Sequence, residues 1–203
     1  MDVNDLNSPL IRRHFVNARE GTNNLLFYLA TTVQIEDKKQ RLPHEIVAAL
    51  GLPASIENFF DYRELFPGIY NRLFQFCIIS LCCDAERFFR DLFEDRSFTP
   101  GNGSGFYQRF TEVMTNLEKV GFDFGTIEHQ RECLVEAFQI RHICVHNLGI
   151  VDQRFIDTTG YSGNVGDTFT VTDATYKDAY DAYCELLRSI DSQLNSLKCM
   201  TVT

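Results

Sequence analysis

Four residues separate an arginine from a histidine in the run Ile140-Arg141-His142-Ile143-Cys144-Val145-His146-Asn147-Leu148-Gly149. A guanidinium carries a fixed positive charge and forked donors that fit a phosphate, and an imidazole gives or takes a proton near neutral pH. Together they suit metal-free phosphodiester chemistry on RNA. On an ideal helix Arg141 and His146 point about 140° apart, with His142 between them. Their tips meet in one cleft only if it wraps that face or if the last turn unwinds, and Asn147-Leu148-Gly149 offers an unwound end.

The motif needs a helix to carry it. Leu134, Phe138, Arg141 and Val145 fall on one face, Thr126 offers an N-cap, and the helix is predicted to stop at Asn147-Leu148-Gly149. From Gly68 to about Glu94 there is no proline, and apolar residues occupy nearly every face between Leu73 and Cys83, as in a central buried helix. Phe106, Phe110, Val113, Leu117 and Val120 repeat at helical spacing before a stop at Gly121. Thr172 or Asp173 caps a last helix whose seam is Tyr176, Tyr180, Tyr183, Leu187, Ile190, Leu194 and Leu197.

Towards the N-terminus, Ser8-Pro9 starts a helix running to about Val33 with a break at Gly21. Shorter helices around His44 to Leu50 and Ser55 to Leu65 form a cap over the main bundle. Between Ile150 and Val171 the short alternation in Asp167-Thr168-Phe169-Thr170-Val171 predicts a small loop or β-hairpin insertion. Thr99 to Gly105 is glycine-rich but lacks the Lys-Ser/Thr ending and preceding strand of a phosphate-binding loop, so it reads as a connection. The fold class is all-α: an N-terminal helical extension, 1–67, packed on a helical domain, 68–203, in one structural unit.

A chain of 203 residues, 44% hydrophobic and with 18 Phe and no Trp, buries a sizeable core without staples. Its 7 cysteines are odd in number and form no Cys-x-x-Cys pair, which argues for reduced, buried thiols rather than a disulfide framework or zinc ribbon. No signal region follows the acidic start, and the apolar stretch is too short and too charged for a bilayer, so the expected location is cytoplasmic, with no membrane partner. A net charge of -9 repels a polyanion at long range, so any RNA contact must use a local basic pocket. His142 and His146 have a metal-ligand spacing but no third ligand stands out, so no metal and no cofactor are expected.

The run from Ile140 to Phe155 resembles the signature of the HEPN superfamily, in which an Arg, followed by a polar residue, precedes a His by four to six positions. The resemblance extends upstream to Phe76–Phe89, which looks like the family helix carrying an acidic residue, here Glu86, toward the site. Downstream it runs through Gly166–Val171 into the last helix, covering roughly Gly68 to Leu197. His142 stands where Asn or Asp is commoner. The resemblance implies an antiparallel up-and-down bundle that forms a homodimer, two motifs facing each other across a cleft. It also implies metal-independent endoribonuclease activity. His146 would be general base or acid at the ribose 2′-hydroxyl or leaving oxygen, Arg141 would stabilise the phosphorane, and the ends left would be a 2′,3′-cyclic phosphate and a 5′-hydroxyl. His142, Glu86 and Asn147 would bind or position the substrate.

Such an enzyme would serve as a toxin or defence effector acting on cellular RNA, with an antitoxin or other protein inhibitor as partner. The rival reading is a non-catalytic HEPN domain that binds a nucleotide or a protein. A third is a helical adaptor using the seam from Tyr176 to Leu197. Arg154 reads as half of a loop salt bridge, and Cys82-Cys83 as packing.

Overall fold

Residues 69–96 are apolar around much of their circumference, and a helix of that kind is stable only when other helices surround it. The computed structural model describes residues 2–26, 41–66 and 68–197, the last three as backbone. Among these residues it contains eight α-helices and no β-strand. They are α1 (Pro9–Asn17), α2 (His44–Ala49), α3 (Phe59–Leu65), α4 (Ile69–Arg96), α5 (Phe110–Lys119), α6 (Glu128–His146), α7 (Gln153–Thr159) and α8 (Asp173–Leu197). The architecture is an all-α bundle. Helices α4, α6 and α8 pack on one another, α1 lies against α4 and α8, and α5 lies against α6.

Aromatic side chains fill the spaces between them. Phe110 of α5 stacks on Phe138 of α6 at 5.2 Å, and Phe88 of α4 meets Tyr183 of α8 edge-on at 6.4 Å. Of the last helix's seam, Tyr176, Tyr183, Leu187, Ile190 and Leu194 are buried and Tyr180 is partly so, while the Leu197 side chain lies outside the described residues. Thr172 caps that helix as expected: its hydroxyl accepts the Thr175 N–H at 3.2 Å, and the Thr175 hydroxyl accepts the Thr172 N–H at 3.4 Å. Leu6, Ile11, Phe15, Ala18 and Leu26 belong to the same core. Val47 and Ile56, the buried apolar residues around α2 and α3, do not.

Three sequence expectations are corrected. Gly21 does not end the first helix: α1 widens into a π-type turn over Ala18–Asn23 and is helical again to Leu26, and the stretch expected to run on to Val33 lies beyond the described residues. Thr126 is not the N-cap of the motif helix, because Gly125–Ile127 forms a short 3-10 turn and the helix starts at Glu128.

Of the loop or hairpin expected between Ile150 and Val171, the structure has the loop and not the hairpin: a single antiparallel bridge, Ile150 to Thr168, closes it, with helix α7 inside. Asp152 starts α7 by accepting the Phe155 N–H at 2.8 Å, Gly160 ends it at φ +69°, and Phe155, Tyr161 and Phe169 pack as a small aromatic cluster beneath it. Two helical turns with Phe155 as their one buried residue carry too little periodicity to stand out from the surrounding Gly, Asp and Thr.

Candidate functional site at the end of helix α6

Arg141 and Glu86 meet where α6 crosses α4. Arg141 Nη2 stands 3.0 Å from Glu86 Oε1, with the two side chains only 14% and 15% exposed. The pair lies off the hydrogen-bonding line, so both Glu86 Oε1 and Arg141 Nε are buried without a hydrogen-bond partner. Burial pushes the Glu86 carboxyl above its ordinary value, while Arg141, the Gln108 amide and Arg90 pull it back. The neighbouring Cys83 thiol is raised by burial and by Glu86, against the pull of Arg141. A nearly buried guanidinium with an unspent donor is unusual, since such groups are normally saturated.

The two histidines of the motif lie together. The rings of His142 and His146 are 4.9 Å apart and tilted by 50°. His142 is half-buried and held toward its neutral form by burial, then by the charges of Arg154, His146 and Arg141, with Asp152 opposing. His146 is exposed, at the last position of α6. The helix stays regular through His146 and opens only beyond it, so unwinding does not turn Arg141 and His146 into one cleft of one chain. No hydrogen bond joins them among the described residues. Arg141 faces α4, and His146 faces solvent.

The irregular end fixes what surrounds the histidines. The Ile143 carbonyl accepts N–H groups from both Asn147, at 2.8 Å, and Gly149, at 2.9 Å. Leu148 is left at φ +56° with 76% of its surface exposed, a conformation that non-glycine residues avoid. Gly149 follows at φ +83°, and a Cβ there would stand 2.8 Å from Nε2 of the buried Gln75. Asn147 donates through Nδ2 to Asp152 Oδ2 at 2.7 Å, so it ties the end of α6 to the start of α7 and acts as a positioning residue. Arg154, read from the sequence as a salt-bridge partner, has no ion pair among the described residues. It lies on α7 near enough to His142 for its charge to be felt there.

Sequence reading missed a second polar cluster. Buried Asp91 of α4 accepts from Arg13 Nη2 at 2.5 Å and lies 3.0 Å from Nε2 of buried His14, while Arg87 Nε stands 2.9 Å from its other oxygen. Facing an acceptor-only carboxylate, His14 Nε2 carries the proton. The signal was present in the sequence as polar residues on apolar stripes: Asp91 follows Phe88 by three positions, and His14 lies between Ile11 and Phe15. What the sequence did not reveal is that the two stripes meet.

Among the described residues no three His, Cys, Asp or Glu side chains group as metal ligands. No single described helix is long and apolar enough to cross a membrane. Comparison with known protein families, with curated proteins and with solved structures finds no match to this chain.

Proposed function

We propose that this chain is a metal-independent endoribonuclease of the HEPN type, acting as a homodimer. The observation that carries the reading is the nearly buried Arg141–Glu86 pair with its unspent guanidinium donor, set beside the paired rings of His142 and His146. Glu86 holds the arginine in place without saturating it, and a shift of the guanidinium on substrate binding brings its unspent Nε donor, buried in the single chain, to a phosphoryl oxygen. Because Arg141 and His146 of one chain face apart, the composite site takes its arginine and its histidine from two motifs opposed across the dimer interface. There His146 removes the proton from the ribose 2′-hydroxyl as that oxygen bonds to phosphorus. Arg141 balances the charge of the phosphorane, and the bond to the 5′-oxygen breaks as that oxygen takes up a proton. The products are a 2′,3′-cyclic phosphate and a 5′-hydroxyl. Use as a toxin or defence effector, restrained by a protein inhibitor, fits this chemistry.

Glu86 also supports a second reading. Its carboxylate neutralises Arg141, which suits a domain that binds a nucleotide or a protein without cutting RNA. Cleavage of a mixed RNA panel in excess EDTA separates the two, with Arg141→Ala and His146→Ala proteins checked for folding and oligomeric state. Cyclic-phosphate ends from the unmodified protein alone are expected. No cleavage, or equal cleavage by all three proteins, overturns the ribonuclease reading in favour of the binding one.

A further inference from the structure

Beside the Arg141 centre, a cleft of about 240 Å³ opens between the start of α5, helix α6 and helix α7. Its polar lining includes Gln108, Thr111, Gln139, Arg154 and Thr158. It adjoins the site at two points: Gln108 acts on Glu86, and the charge of Arg154 reaches His142. The second arginine at the cleft, Arg109, is already committed, with Nε 2.7 Å from Glu112 and Nη2 donating to the Asn102 carbonyl at 2.6 Å. Among the described residues Arg154, Gln139, Thr111 and Thr158 make no side-chain hydrogen bond or ion pair, and Arg154 is exposed. A guanidinium with no ion pair among the described residues, flanked by the uncommitted Gln139 amide and two hydroxyls in a chain of net charge -9, is a local anion-binding surface against an unfavourable background.

We propose that this cleft is a flanking subsite for single-stranded RNA. In it Arg154 pairs with a phosphate next to the one at Arg141, and Gln108, Gln139, Thr111 and Thr158 hydrogen-bond the adjoining ribose and base edges. The subsite rests on the RNA reading above, and it makes a separate demand. A dinucleotide, with a single bridging phosphate, occupies the Arg141 centre alone. A longer strand reaches the cleft as well.

The test is binding of an uncleaved, fluorescently labelled short oligoribonucleotide over a series of salt concentrations, with a dinucleotide as control. The proteins are His146→Ala and the double variants H146A/R154Q, H146A/R154K and H146A/Q139A. With Arg154→Gln, oligonucleotide affinity should fall by roughly tenfold and the logarithmic salt slope should shrink by about one, as when a single phosphate contact is lost. Dinucleotide affinity should be unchanged. R154K should restore most of the slope, since the charge is kept, and Q139A should weaken binding without altering the slope. Equal affinity and slope for the His146→Ala protein and the R154Q double variant overturn the subsite, even if RNA is cleaved. A loss confined to the longer strand supports it, even if the unmodified protein cuts nothing and the catalytic reading fails. Absence of oligonucleotide binding by His146→Ala overturns it too.

Discussion

Helix α4 carries two carboxylates that are buried in different ways. Asp91 is saturated: Arg13, His14 and Arg87 all reach it, and it fastens α1 to the bundle. Glu86, five positions earlier, has one off-line ion pair and an oxygen with no hydrogen bond. Burying ionised groups is tolerable when every lone pair is met, and is otherwise costly. A saturated cluster has nothing left to offer a ligand. An unsaturated one keeps binding capacity in reserve, and this difference separates a fastening from a candidate site.

The largest expected contrast lies in activity. Arg141→Ala or His146→Ala should lower ribonuclease turnover by roughly a hundredfold to ten-thousandfold, whereas Arg87→Gln should leave turnover per folded molecule unchanged. Single-turnover cleavage measures both, and a large loss from Arg87→Gln would erase the distinction. The next contrast is in stability. Asp91→Ala strands the buried His14, while the mostly exposed Arg13 and Arg87 turn to solvent, and should cost about 2 kcal/mol in urea unfolding, against about 1 kcal/mol or less for Glu86→Gln. Glu86→Gln should also tighten binding of inorganic phosphate or a dinucleotide, because it removes the charge that neutralises Arg141. Equal losses of stability would mean that the Glu86 pair is as much a fastening as Asp91.

The two regions should also respond to acid with opposite signs. Burial lowers His14 below its ordinary 6.5, against the pull of Asp91. At Asp91, burial is outweighed by hydrogen bonds from His14 and Arg87, so its carboxyl is held below 3.8. For both groups the folded pKa lies under the unfolded one. Their stabilisation is therefore complete above the unfolded values and is lost as pH falls, first below 6.5 through His14 and then below 3.8 through Asp91. Glu86 is raised above 4.5, so its contribution is complete below that value and is lost as pH climbs through the folded pKa. Urea titrations across this range should show Asp91→Asn flattening the acid-side decline and Glu86→Gln removing the opposing trend. Parallel curves for the two variants would refute the assignment. The smallest effect is expected at Leu148, where glycine relieves the left-handed backbone and should stabilise by about 1 kcal/mol, a gain read in thermal unfolding.

Periodicity was enough to find α4, α5, α6 and α8, because each buries a stripe repeated over several turns. Pro9 and Thr172 marked two helix starts by local chemistry alone. The motif residues were found by type and spacing, and the proximity of His142 to His146 follows from one helical turn. The pairing of Arg141 with Glu86 depends instead on how α6 crosses α4, and the Asp91 cluster joins residues 77 apart in sequence. No local pattern encodes such meetings. Helix α7 escaped notice for a different reason: two turns held by an aspartate cap and an aromatic cluster leave a periodic trace too short to read.

The close approach of Gly149 to Gln75 bears on the history of the sequence. A side chain at 149 must strain the backbone and displace an amide buried in α4, so the two positions are coupled across 74 residues. A smaller residue at position 75 removes the clash but leaves the backbone strain of φ +83° at position 149. Among descendants of a common ancestor, the glycine after the motif should persist while its flanks drift, and any lineage that loses it should carry a compensating change at position 75.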